Sequence, residues 1–85
     1  MDKDTTIIAV IREVLAQSNG IEEVVSKIGK TYPTLMREIN PYDKNAKLGV
    51  ETLFDIMKVT QDIRPLEYIA NELGFKVVAK EQEQN

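Results

Sequence analysis

Thr34 and Arg37 stand three residues apart in a stretch whose apolar positions, Leu35, Met36 and Ile39, repeat at helical spacing. On a helix that spacing turns the three apolar side chains one way and leaves Thr34, Arg37 and Glu38 on the other side. A threonine and an arginine one turn apart can meet neighbouring base pairs of DNA. The guanidinium offers a two-pronged fork to guanine, and the threonine offers a hydroxyl to base or phosphate and a methyl to thymine. Glu38 on the same side repels phosphate unless it accepts from a cytosine amino group. Thr31 and Tyr32 stand at the entrance to this helix, where a phosphate would approach. Lys27, Lys30, Lys44 and Lys47 flank it and suit the phosphate backbone better than the bases, setting register rather than reading sequence.

The charge distribution agrees with such a face. The 85 residues carry a net charge of −3. Between Ser26 and Leu48, however, five bases (Lys27, Lys30, Arg37, Lys44, Lys47) stand against two acids (Glu38, Asp43), a local +3 that leaves −6 for the remainder. One basic surface on an acidic body is what a nucleic-acid-facing domain requires.

Other chemistry is poorly supplied. There is no Cys and no His, which removes thiol nucleophiles, disulfides, thiolate zinc sites and the side chain most often used as general base. Glu22 and Glu23 are adjacent and point apart on a helix, so they form no acid–base couple. No glycine-rich phosphate loop and no metal-ligand spacing is present. The expectation is a protein that is not an enzyme, with no cofactor, no metal and no small-molecule substrate. No apolar run is long enough to cross a bilayer, and Met1-Asp2-Lys3-Asp4 lacks the start of a signal peptide. The reading is therefore a soluble cytoplasmic protein with no membrane partner.

The elements that must position these residues are legible as five helices with no substantial sheet. Apolar residues make up 42% and charged residues 29% of the chain, an ordinary globular balance. The first helix starts at Asp4 or Thr5 as cap, buries Ile7, Ile8, Ile11, Val14 and Leu15, and stops at Asn19-Gly20. The second is short, with Ile21, Val24, Val25 and Ile28 inward, Glu22 and Glu23 at its positive start, and Gly29 at its end. Tyr32 enters the third and Pro33 takes its first position; Asn40-Pro41 ends it, and a polar loop runs from Tyr42 to Lys47. The fourth covers Val50 to Thr60 with Val50, Leu53, Phe54 and Met57 on its buried stripe. Pro65 starts the fifth, with Leu66, Ile69, Ala70 and Leu73 inward, and Gly74 stops it. Phe75, Val77 and Val78 form an apolar tail, either strand or extended chain, and residues 81–85 fray. Residues 1–75 thus read as one domain, and 76–85 as a tail that is flexible or used in oligomerisation.

A short helix, a glycine elbow and a second short helix from Gly20 to Asn40 form a helix-turn-helix, whose second helix enters the major groove in DNA-binding domains. The pattern departs from many such units at Val25, where a small residue is frequent, and at Lys30, where an apolar one is. The same spacing also occurs in helical hairpins that never touch DNA. The alternative is thus a protein-interaction module that binds another regulator.

A resemblance sharpens the choice. Thr34-Leu35-Met36-Arg37-Glu38-Ile39-Asn40-Pro41, then Lys47-Leu48-Gly49-Val50-Glu51-Thr52-Leu53, then Ile56-Met57, then Asp62-Ile63-Arg64-Pro65-Leu66 resemble the phage regulatory protein CII family. That family carries a TL-x-x-x-LNP segment, then KLGLEELLAIM, then an ending D-x-RPL…LA-x-ELG, matched here also by Ile69-Ala70 and Glu72-Leu73-Gly74. The resemblance covers about Gly20 to Phe75. It implies an all-α, lambda-repressor-like five-helix domain and a transcription regulator of temperate phages or prophages acting in the choice between lytic and lysogenic growth. Its partner is double-stranded DNA, bound by residues 33–40 in the major groove of an operator. Arg37 and Glu38 stand where the family carries Asn-Lys, so the operator read here is expected to differ. The domain's small footprint and its apolar tail predict a homodimer or higher homo-oligomer.

Overall fold

In the computed structural model, residues 6–80 are described. They form α1 (Ile7–Ala16), α2 (Ile21–Lys27), α3 (Tyr32–Glu38), α4 (Val50–Thr60) and α5 (Arg64–Glu72), with no strand among them. The fold is all-helical, as the apolar periodicities predict. Asp4 and Thr5, expected as caps, and the polar end 81–85 lie outside the described residues. The cap of α1 is Thr6, whose hydroxyl oxygen accepts from the Ala9 amide at 3.1 Å.

α1 is the platform on which the rest is assembled. Its Ile11, Val14 and Leu15 are sealed from solvent, and it packs against α5 and α2, while α2 packs against α3 and α4. Val24 and Val25 of α2, Leu35 and Ile39 at α3, and Ile56 of α4 complete the core. Burying several branched aliphatic side chains at about 1.5–3 kcal/mol each is the main force holding short helices that would not be stable alone.

Glycine placement shapes the two ends of α2. Gly20 does not close α1, which ends earlier with Gln17 as its C-cap; it opens α2 as N-cap at φ 144°. Gly29 lies at φ 76° directly after the C-cap Ile28. Its amide donates to the Ser26 carbonyl and the Lys30 amide to the Val25 carbonyl, at 3.2 and 3.1 Å. This pair of bonds is the Schellman closure, which needs a left-handed residue between helix and exit. The elbow between α2 and α3 is therefore set by hydrogen bonds rather than left loose.

Two helices turn differently from the sequence expectation. On α4, Val50 is 82% and Phe54 55% exposed, while Ile56 is fully buried and Leu53 and Val59 pack against the core. The helix carries two apolar stripes, and the one containing Leu53, Ile56 and Val59 meets the body. On α5, Leu66 (40%) and Leu73 (69%) are exposed, whereas Pro65 is buried and Ile69 and Ala70 are half-buried. Arg64 ties the start of α5 to the end of α1: its guanidinium holds Asp62 at 2.7 Å and reaches Gln17, the C-cap of α1, at 2.9 Å. Phe75, Val77 and Val78 follow the Gly74 closure without regular structure.

Candidate nucleic-acid interface

α3 begins at a made cap. The Thr31 hydroxyl oxygen accepts from the Thr34 amide at 3.3 Å and its proton goes to the Thr34 hydroxyl oxygen at 2.9 Å. Thr31 is thus the capping residue, Tyr32 and Pro33 are the first two helical residues, and the free proline nitrogen costs nothing there. Thr34 keeps its own hydroxyl proton and its methyl for an outside partner. Leu35 is fully buried and Ile39 nearly so, which fastens one side of α3 to the core and turns Thr34 and Arg37 outward. A clasp at the far end comes from α1: Arg12 donates through Nη1 to the Ile39 carbonyl at 3.2 Å. A cation at the negative end of a helix is also electrostatically favourable.

Four of the basic residues fall into three groups. Arg37 is 62% exposed, and its Nε donates to Asp43 Oδ2 at 3.1 Å. Lys44 and Lys47 are exposed, pair with no carboxylate among the described residues, and line one shallow hollow with Glu38, Asp43 and Asn40. Lys27 pairs loosely with Glu23 at 3.3 Å, both largely exposed, and lies beside the α1–α2 turn and the end of α4 rather than with the other lysines. An exposed pair of this kind is worth about 0.3–0.5 kcal/mol and gives way easily to a stronger anion.

Lys30 and Glu38 are placed otherwise than the helical spacing suggests. Their side chains, 25% and 14% exposed, meet at 3.1 Å across the α2–α3 elbow, and one Glu38 oxygen is buried with no hydrogen-bond partner. Glu38 does not stand free on the outer side of α3. It bends back, and the pair braces the elbow that sets the angle of α3. Tyr32 is 45% exposed at the helix entrance, beside Thr31.

Asp43 and Arg12 are the contributors that sequence reasoning passed over. Asp43 is held by its own loop: its Oδ1 accepts from the Asn45 amide at 3.0 Å, and its amide donates to the Asn40 carbonyl at 3.1 Å. The Asn45 amide first, and then Arg37, hold its carboxyl below the ordinary value. The signal was there in Asp43-Lys44-Asn45, a sequence suited to a side-chain-to-backbone turn. For Arg12 no local signal exists, since its acceptor is 27 residues away.

A family model described as phage regulatory protein CII (CP76) matches residues 6–85. The chain belongs to that family. The match extends beyond the motifs between Gly20 and Phe75 and takes in α1 and the tail as well. No curated protein and no solved structure matches the chain. Membership makes this CII-family protein a phage regulator, consistent with an all-helical body. No described helix is long and apolar enough to cross a membrane, and the described residues hold no cluster of metal-ligating side chains.

Proposed function

We propose that this CII-family protein is a phage or prophage transcription regulator that binds operator DNA through a helix-turn-helix formed by α2 and α3. The observation that carries the reading is the presentation of α3. One side is sealed by Leu35 and Ile39, both ends are fastened by Thr31 and Arg12, and Thr34 and Arg37 face outward. A helix held this firmly can lie in a major groove with its first turns against the bases. Thr34 and Arg37 then read base edges, and Thr31 and Tyr32 approach a phosphate. Lys44, Lys47 and, after release from Glu23, Lys27 neutralise the backbone. Lys30 and Glu38 act on the angle of the elbow.

A second copy is part of this reading. Val50 and Phe54 on α4, Ile63 at the cap of α5 and Leu66 on α5 are exposed apolar residues, and Phe54, Ile63 and Leu66 surround one hollow with the half-buried Met57. Phe75 and Val78 of the tail are 72% and 77% exposed. A chain that offers both an apolar hollow and an unpartnered apolar tail can bury both in an isologous dimer. Two copies bring two α3 helices to half-sites about one helical turn apart. Such a regulator works where the genome is, in the cytoplasm of the host cell.

Binding to duplex DNA measured across a salt series tests the reading. Three backbone lysines in each of two protomers neutralise about six phosphates and give a slope of log K against log salt of about −5. Lys44→Ala/Lys47→Ala then reduces that slope by about 2–4 while leaving the preferred sequence alone. A flat salt dependence, with binding sensitive instead to Phe54→Ser or Leu66→Ser, would mean that the protein acts through another protein.

A further inference from the structure

Arginine has five donors in a rigid plane, and which of them is already engaged decides where the others point. In Arg37 the engaged donor is Nε, bound to Asp43 Oδ2 at 3.1 Å, and the terminal nitrogens make no hydrogen bond among the described residues. Asp43 is a firm anchor for it. Its side chain is only 21% exposed against 62% for Arg37. Its other oxygen is tied to the Asn45 amide, and its backbone is tied to Asn40 at the end of α3. The Asn40 side chain closes the preceding turn by accepting from the Tyr42 amide at 2.9 Å. The whole segment 40–45 is thus a stapled bracket that reaches back along α3 to a single arginine.

We propose that Asp43 is a specificity-determining positioning residue: by holding Nε it aims the Nη1 and Nη2 fork of Arg37 outward, ready for the O6 and N7 acceptors of one guanine. An unheld arginine chooses among many rotamers and settles as readily on a phosphate as on a base. A held one loses less freedom on binding a guanine, and among the base edges its fork geometry matches guanine O6 and N7. The carboxylate also disfavours non-specific association, because its negative charge beside Arg37 is balanced only while Arg37 stays in place. This role rests on the proposal that α3 reads DNA, and it adds a residue that touches no base.

The test compares wild type, Asp43→Asn, Asp43→Ala, Arg37→Ala and Arg37→Ala/Asp43→Asn. Each is measured against the best site selected by the wild type, against the same site with single guanines replaced, and against an unrelated duplex. Thermal unfolding checks that each variant is folded. The expected result is that Arg37→Ala abolishes the preference at one guanine, a loss of roughly 5- to 150-fold. Asp43→Asn and Asp43→Ala weaken the preference at that same guanine by about 5-fold or more, leave the other positions intact, and bind unrelated DNA as well as the wild type or better. The double variant should then be no less selective than Arg37→Ala, since Asp43 acts only through Arg37. A folded Asp43→Asn that binds the selected site more tightly with its guanine preference intact overturns the proposal, for Asp43 would then be a decoy that competes with DNA. Loss of preference spread evenly over all positions overturns it too, as a loop of purely structural value would give. If the wild type selects no site, or Arg37→Ala leaves every preference in place, the reading of α3 as a recognition helix itself fails, and the positioning role fails with it.

Discussion

Ile56→Ala and Val50→Ala separate the two apolar stripes of α4. Ile56 is fully buried in the core between the helices, and Val50 is 82% exposed. Truncating a sealed isoleucine removes its transfer free energy and leaves a cavity, together about 2–5 kcal/mol. A domain of 85 residues is stable by about 4–13 kcal/mol on the usual scale per residue. Losing about 3 kcal/mol therefore removes a large share, and lowers the melting temperature by roughly 12–24 °C for a domain of this size. Val50→Ala changes stability by no more than about 0.5 kcal/mol, because the methyls lost are already in water. The assay is urea unfolding at several protein concentrations, so that any contribution from self-association appears as a concentration-dependent midpoint. At the lowest concentration the two variants should differ by at least about 1.5 kcal/mol. Equal costs, or a larger cost at Val50, would mean that α4 docks through Val50, Phe54 and Met57 and that the packing described above is wrong.

Other perturbations test the ends of the helices and the acid limb of stability. Gly29→Ala meets no atom within 4 Å at the new Cβ, but it forces a left-handed backbone at φ 76° and should cost about 1 kcal/mol in thermal unfolding; Gly29→Asn should cost less. Thr31→Ala removes the side-chain acceptor of the Thr34 amide and should destabilise by about 1 kcal/mol, with a smaller far-ultraviolet helical signal. The Asp62 carboxyl is held below its ordinary value of 3.8, first by hydrogen bonds from the Arg64 side chain. The folded state thus binds this proton less readily than the unfolded chain, so the contribution is complete above the ordinary value and is lost as pH falls through the lowered one. Unfolding curves at descending pH should show the wild type losing stability in that acid window, and Asp62→Asn losing less of it because the charge is already gone.

The elements were readable where a local rule governs them. Gly29, Pro33, Pro65 and Gly74 mark helix ends by backbone geometry alone, and the inward positions of α1, α2 and α3 follow from a single apolar stripe on each. α4 is ambiguous because two stripes share Leu53, and periodicity gives the angle between apolar residues but not which angle faces the core. α5 is only partly legible because its rotation depends on packing against α1, a contact that includes the Arg64 bond to Gln17, 47 residues distant. The same limit applies to the interface. Thr34 and Arg37 follow from position on a helix, whereas the retreat of Glu38 to Lys30 depends on how two helices meet. The grip of Asp43 on Arg37 depends on how a loop returns along α3.

Selection of binding sites from fragmented phage and host DNA by the purified protein, beside Thr34→Ala/Arg37→Ala, tests the central claim most directly. The account predicts a discrete motif with two-fold symmetry and half-sites about one helical turn apart. The double variant should fail to recover it while still binding DNA weakly at low salt. Recovery of no motif by the wild type, or of the same motif by the double variant, would contradict the claim that α3 reads operator DNA.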